Sequence, residues 1–443
     1  MKAHFNTFYR LLFIICASWS TCFAQSTPQP PPAGDRQKII SPAGGGLRGW
    51  KKHEDNFFTR FPDYPIYSFI NYNADTLYIT KNQPLFPYFI SKLDSLITLS
   101  SGNINIVHIG GSHVQAGTFP NTVRQELLNA YSDLTASRGL VFPYAAAPKC
   151  NNPTDYRTRS VGRFGLVRNV YQEHIYPLGI TGIAVYTLDS ISEIKIIHRD
   201  SLTKFNTTKI TLLGYSPEDS AFMPILLIDT TTFLPSKIIP EKRQFVYENI
   251  SFTDSFAFSF VNKDSDSFVI TGMLLENENP GITYHSIGVN GASVDAFLRC
   301  AHFEEEIELL SPDMVIFGLG INDASGPNFE PDVFKENYLT LVNQFKKVNP
   351  NCFFVFITNN DSYKKVGKKY HVNKNALKVR AVMYELADET GGAVFDQFQI
   401  MGGLHSMEKW RSAKLAQNDR VHFTKAGYEL MGKLLFNAIV REF

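Results

Sequence analysis

The chain has 443 residues, with 43 Lys and Arg against 42 Asp and Glu and a net charge of +1. Such a length asks for more than one packed unit, and a charge so near zero leaves no electrostatic footprint for nucleic acid. No apolar run reaches membrane-spanning length, and no Cys/His cluster has metal-ligand spacing, so no metal and no cofactor are expected.

At the start, Lys2 and Arg10 precede an apolar run that closes on Cys22-Phe23-Ala24. Residues 1–24 are predicted to be a secretory signal peptide, too short in its apolar part to span a bilayer. Neither Cys16 nor Cys22 sits in a lipoprotein cleavage pattern, so the protein is expected to be exported, periplasmic or extracellular, rather than lipid-anchored. Residues 25–56, with Pro30, Pro31, Pro32 and the run Gly44-Gly45-Gly46, read as a leader or linker. After export Cys150, Cys300 and Cys352 remain; an oxidising compartment permits a Cys150–Cys300 bridge, and Cys352 reads as a buried apolar residue.

Residues 57–138 open with a mixed aromatic segment expected to wrap on the core and to end in a helix near residues 87–97. An apolar strand at 104–109 follows, then a helix over 122–131 with Val123, Leu127 and Tyr131 on one face. From 139 to 280 the character changes to short β-branched and aromatic runs punctuated by Asp, Asn, Ser, Gly and Pro, the pattern of an all-β sandwich or jelly roll. Alternating strands and helices resume over 281–443. The predicted strands at 283–288, 314–318, 352–357 and 393–396 are each followed by a helix, the last over 424–440. Such alternation implies a parallel sheet covered on both faces, interrupted by an inserted β-sandwich.

Chemistry concentrates where strands end. The strand at 104–109 breaks into Gly110-Gly111-Ser112, which puts a hydroxyl on a tight turn past a buried strand. Serine is a weak nucleophile and needs a base, a group to orient that base, and donors for an oxyanion. His422 as base and Asp419, three residues before it, as the orienting carboxylate supply the first two on one loop. Asn322 offers a side-chain amide after the third strand, and Gly291 a backbone N–H after the second. In open α/β sheets ligands bind beyond the carboxyl ends of strands, and that rule alone brings Ser112, Gly291 and Asn322 to one edge. Asp323 reads as a loop stabiliser, and His113 as a neighbouring wall or core residue. Gly318-Leu319-Gly320 lacks the third glycine of a dinucleotide loop.

Ser112, Gly291, Asn322 and the pair Asp419/His422, in this order, resemble the four motif blocks of the SGNH (GDSL-like) hydrolases. The resemblance implies a three-layer flavodoxin-like fold. It implies a triad of Ser112, His422 and Asp419, and an oxyanion hole made by the Ser112 and Gly291 N–H groups with the Asn322 amide. Gly111 stands where that family's first block usually carries Asp. Exported members with a β-sandwich inserted after the serine block resemble peptidoglycan and polysaccharide O-acetylesterases, in which the added domain is carbohydrate-binding-like. An acetylated glycan is therefore the expected substrate. An O-acetyltransferase with the same triad, a non-catalytic glycan-binding protein and a lipase are the rival readings. Tyr144, Asn152, Tyr156, Arg157 and Arg168, between the serine helix and the insertion, form a candidate sugar-facing wall, since aromatic faces with amide and guanidinium donors suit a hydroxylated ring.

Overall fold

The computed structural model describes residues 64–442, apart from 82–83, 131–136, 149, 151, 200–204, 219–221, 252–254 and 263–265. The expected signal peptide and the leader, like Tyr131 on the helix face, lie outside the described residues.

Five strands with apolar residues on both faces form a parallel sheet. In spatial order they are Gly281–Gly288, Asn103–Gly110, Met314–Gly318, Phe353–Ile357 and Ala393–Phe395. In chain order this is the 2-1-3-4-5 arrangement of a doubly wound sheet, whose switch point lies beside the first strand. A short edge strand, Leu77–Ile79, adds antiparallel to Ala393–Phe395 and was not foreseen. Three residues of alternating exposure carry too little periodicity to announce a strand.

Side chains of the central strands alternate between two apolar layers, as the two-residue period requires. Val107, Ile109, Val315, Phe317, Phe354 and Phe356 face one core; Ile104, Ile106, Met314, Ile316, Phe353 and Val355 face the other. The second core is closed by the helices Leu85–Leu99, Thr118–Ala130 and Lys425–Val440. The first is closed by Phe303–Leu310, Pro331–Val348 and Asn375–Thr390. Pro331 suits the first turn of its helix, where a missing N–H costs nothing, and Thr424 caps the last helix through Gly427 N.

Between Thr118–Ala130 and Gly281–Gly288 the chain builds two antiparallel sheets. One orders the strands Thr231–Phe233, Ile225–Ile228, Ser255–Val261, Ile191–His198 and Tyr156–Val161. The other runs Lys237–Ile239, Gln244–Glu248, Lys209–Tyr215, Val269–Glu276, Ile183–Thr187 and Phe164–Arg168, with Gly139–Val141 also paired to Val269–Glu276. Their inner faces meet around Phe258, Phe260 and Phe268, the last two stacked at 5.2 Å between ring centroids. This is the inserted sandwich. Its apolar core runs without a break into the first layer of the parallel sheet.

A buried ionic knot marks the junction. Asp155 accepts from Arg138 Nε at 2.5 Å and from Arg124 NH1 at 3.1 Å, and Arg124 also donates to the Tyr284 carbonyl at 2.9 and 3.2 Å. Burial would push the Asp155 carboxyl up, but the two guanidiniums outweigh it and hold it below the usual range. All three residues are buried. Among the described residues no helix is long and apolar enough to cross a membrane. Cys150, Cys300 and Cys352 are all free, so the permitted Cys150–Cys300 bridge is not formed.

Removing Asp155 strands two cations in the interior. Asp155→Ala is expected to destabilise the fold by about 3–5 kcal/mol, read as a lowered urea midpoint. A loss near zero would mean that the guanidiniums are solvated and the knot contributes nothing.

Candidate active site

The strand Asn103–Gly110 delivers the chain to Gly111, and Ser112 begins a one-turn helix, Ser112–Gln115. The Gly111 carbonyl accepts from Val114 N at 3.2 Å and Gln115 N at 3.0 Å, which fixes the turn. Ser112 Oγ lies 2.7 Å from His422 Nε2, and His422 Nδ1 lies 2.7 Å from Asp419 Oδ2. An ionised carboxylate can only accept, so Nδ1–H donates to Asp419 and the Nε2 lone pair faces the Ser112 hydroxyl. Burial pushes the Asp419 carboxyl up. The bonds from the His422 ring and from the His422 and Val421 backbone N–H groups outweigh that push and hold it below the usual range. The His422 imidazole is thus oriented by a carboxylate that stays charged.

The Asp419–His422 loop is fastened from several sides. His422 O accepts from Gln417 N at 2.8 Å, and Val421 O from Asn360 Nδ2 at 3.0 Å. Arg420 pairs with Glu408 and lays its guanidinium 3.8 Å from the Tyr370 ring centroid. His113 packs its ring 5.3 Å from that of His422 and shares a 3.0 Å hydrogen bond with Tyr428 Oη. Burial, with the adjacent His422, pushes its imidazole down to about 3, so it stays neutral and puts no cation beside His422.

Opposite the serine, the loop after Gly281–Gly288 carries Gly291 at φ +84°, a conformation that favours glycine. Asn290 N donates to Gln115 Oε1 at 2.5 Å, and Arg168 NH2 donates to the Asn290 carbonyl. Asn322 Nδ2 donates to the Ala292 carbonyl at 2.9 Å, which spends one of its two amide protons and leaves the other. Among the described residues the Ser112 and Gly291 N–H groups have no acceptor. Ser112, Gly291, Asn322, Asp419 and His422 therefore meet at one edge. Asp323 turns away and receives Val294 N at 3.0 Å.

Gly111 has φ −87°, so positive φ is not what its position needs. A Cβ there would lie 3.2 Å from Asn322 Nδ2, and crowding of that amide is the constraint instead.

The candidate sugar wall needs correction. Tyr156 is 2% exposed and Tyr144 8%, because both turn inward at the junction. The Tyr156 hydroxyl is locked between Phe142 N at 2.9 Å and Phe142 O at 3.1 Å. Asn152 accepts from Thr158 N and Oγ1, which ties it to its own sheet. Arg157 is exposed, and Arg168 is half-buried against the Asn290 loop. Gln115 had escaped notice, although its place three residues after Ser112 on the same turn was a usable signal.

Residues 254–430 match the GDSL-like Lipase/Acylhydrolase family, a stretch holding Gly291, Asn322, Asp419 and His422 but not Ser112. Among solved structures, a peptidoglycan O-acetylesterase superposes with a TM-score of 0.68 at 20% identity, covering 83% of this chain and 99% of that one. A lipase/acylhydrolase from Enterococcus faecalis (TM-score 0.29, 22% identity) covers 36% of this chain and 77% of its own. An acetylxylan esterase from Geobacillus stearothermophilus (TM-score 0.28, 22% identity) covers 37% and 73%. No curated protein sequence matches the chain.

Asp323 yields a pH test. Burial pushes its carboxyl up to about 6 from 3.8, so the folded state binds more protons than the unfolded one between those values. Stability must fall as pH rises through that window and then level off. Asp323→Asn, which keeps an acceptor for Val294 N, should show no such fall, so the variant gains on the parent from about pH 4 to about pH 6 in denaturant unfolding. Parallel pH profiles would show that the carboxyl is not held in its neutral form.

Proposed function

Starting from the GDSL-like lipase/acylhydrolase domain that the chain carries, we propose that the protein is an exported serine esterase that removes O-acetyl groups from a carbohydrate polymer through an acyl-enzyme. The observation that carries this reading is the continuous chain from Ser112 Oγ through His422 to Asp419, with 2.7 Å at each link, beside two N–H groups without an acceptor. His422 Nε2 takes the Ser112 proton as Oγ attacks the ester carbonyl. The oxyanion is held by the Ser112 and Gly291 N–H groups with the remaining Asn322 amide proton. His422 then protonates the leaving sugar oxygen, and water, activated by the same imidazole, releases acetate.

The glycan assignment draws on the likeness to a peptidoglycan O-acetylesterase, which superposes over 83% of this chain and 99% of its own. Export draws on the N-terminal sequence. Acetate release from a panel of acetylated glycans, with aryl esters of rising chain length alongside, tests both activity and acyl preference. Transfer of acetyl to a sugar hydroxyl without net acetate release would replace the esterase reading by the acetyltransferase one.

Asn322→Ala is expected to lower kcat for an aryl acetate by on the order of 10²–10³ with KM little changed; an effect on KM alone would make it a binding residue. Arg168→Ala should lower kcat for the same small ester roughly tenfold, less than loss of an oxyanion donor, because the guanidinium sets the loop that presents Gly291 N–H. Arg168→Lys should restore part of it. Loss seen only with polymeric substrate would return Arg168 to the sugar wall. Gly111→Asp should depress kcat in a folded protein, since its Cβ displaces the Asn322 amide; undiminished activity would show that the amide yields without consequence.

A further inference from the structure

Residues 362–380 contain Lys364, Lys365, Lys368, Lys369, Lys374, Lys378 and Arg380 with no Asp or Glu among them, in a chain whose net charge is only +1 over its whole length. Most of this charge sits on a hairpin, Tyr363–Val366 paired with Lys369–Val372, turning at Gly367 with φ +59°. Lys364, Lys365, Lys368, Lys369 and Lys374 are exposed, and none makes an ion pair among the described residues. Like charges this dense repel one another, and Lys365 Nζ, 5.8 Å from the Tyr370 ring centroid, shares that ring with Arg420.

The hairpin is built onto the catalytic loop. Tyr363 N donates to the Arg420 carbonyl at 3.0 Å, and Arg420 covers the Tyr370 ring. Arg420 itself stands between Asp419 and His422. The root of the lysine hairpin is thus held against the loop that carries Asp419 and His422.

We propose that this hairpin is a docking surface for an anionic polysaccharide, a glycan carrying its own carboxylates between its ester groups. The proposal rests on the esterase reading above and narrows its substrate class. A lipid surface fits less well, since the tip offers one exposed apolar side chain, Val366, among its lysines. Single-stranded nucleic acid wants free aromatic faces for stacking, and the Tyr370 face is already taken by Arg420. Lysine ammoniums act as point charges on flexible stems, which suits an irregular row of carboxylates.

The test is a variant carrying Lys364→Glu, Lys365→Glu, Lys368→Glu and Lys369→Glu. Its binding to unacetylated polygalacturonate is compared with the parent's, and its acetate release from acetylated pectin, acetylated xylan and an aryl acetate is measured. In the parent, binding to polygalacturonate and kcat/KM on acetylated pectin should fall roughly tenfold or more between about 50 mM and about 500 mM salt. The variant should show that loss already at low salt, while keeping the parent's rates on xylan and on the aryl acetate. Polygalacturonate binding indifferent to the four substitutions overturns the proposal, and so does binding of anionic vesicles or DNA in place of the polyanionic glycan. Absence of ester hydrolysis by the parent on every substrate overturns the esterase reading instead, and the binding measurement still decides the role of the hairpin.

Discussion

The close seating of the serine turn on the neighbouring strand is the constraint from which the site follows. Gly288 is level with Gly110 in the parallel register, and a Cβ on Gly288 would lie 2.2 Å from Gln115 N. Only a hydrogen fits there, so the one-turn helix carrying Ser112 presses directly on the strand that leads to Gly291. That approach lets Gln115 reach Asn290 N, while Asn322 reaches Ala292 O from the third strand. The serine turn and the loops that carry Gly291 and Asn322 thus form one hydrogen-bonded unit, so under the proposed function little reorganisation would be needed when charge develops. His422 approaches from the opposite side, on a loop anchored separately by Asn360, Glu408 and Tyr363.

The sandwich takes part in this arrangement. Its core is continuous with one layer of the parallel sheet, Asp155 and Arg138 join Arg124 across the junction, and Arg168 holds the Asn290 carbonyl. Under the proposed function, an insertion so coupled would act on small substrates as well as polymers, through the loop that carries Gly291. Under the proposed function, the polymer would be gripped elsewhere, at the lysine hairpin beside the catalytic histidine. On that reading the division between chemistry and substrate choice would not follow the boundary of the insertion.

Much of this was legible in the residues. Apolar strand runs such as 104–109 and 314–318 showed their place because burial on both faces leaves no polar alternation to confuse the period. Ser112, Gly291 and Asn322 fell at one edge by topology alone, and Asp419 beside His422 needed only one loop. The errors came where long-range packing decides. Tyr144, on a short helical turn, and Tyr156, on a strand, looked like a sugar wall because aromatic composition does not say which side of an element turns inward; the sandwich junction buries both. The reason for Gly111 lay in the position of Asn322, more than two hundred residues away in the chain, which no local pattern encodes. The hairpin at 363–372 was overlooked because its charge run reads as an ordinary solvated loop until its root is seen to join the Asp419–His422 loop.

The central claim is that Ser112 is a nucleophile activated by His422. Treating the folded protein with an aryl phosphonate ester and mapping the adduct by peptide mass spectrometry tests it most directly. A single adduct on Ser112, formed rapidly by the parent and slowly or not at all by His422→Ala, is the predicted result. Labelling at another residue, or labelling of Ser112 at the same rate without His422, would contradict the account.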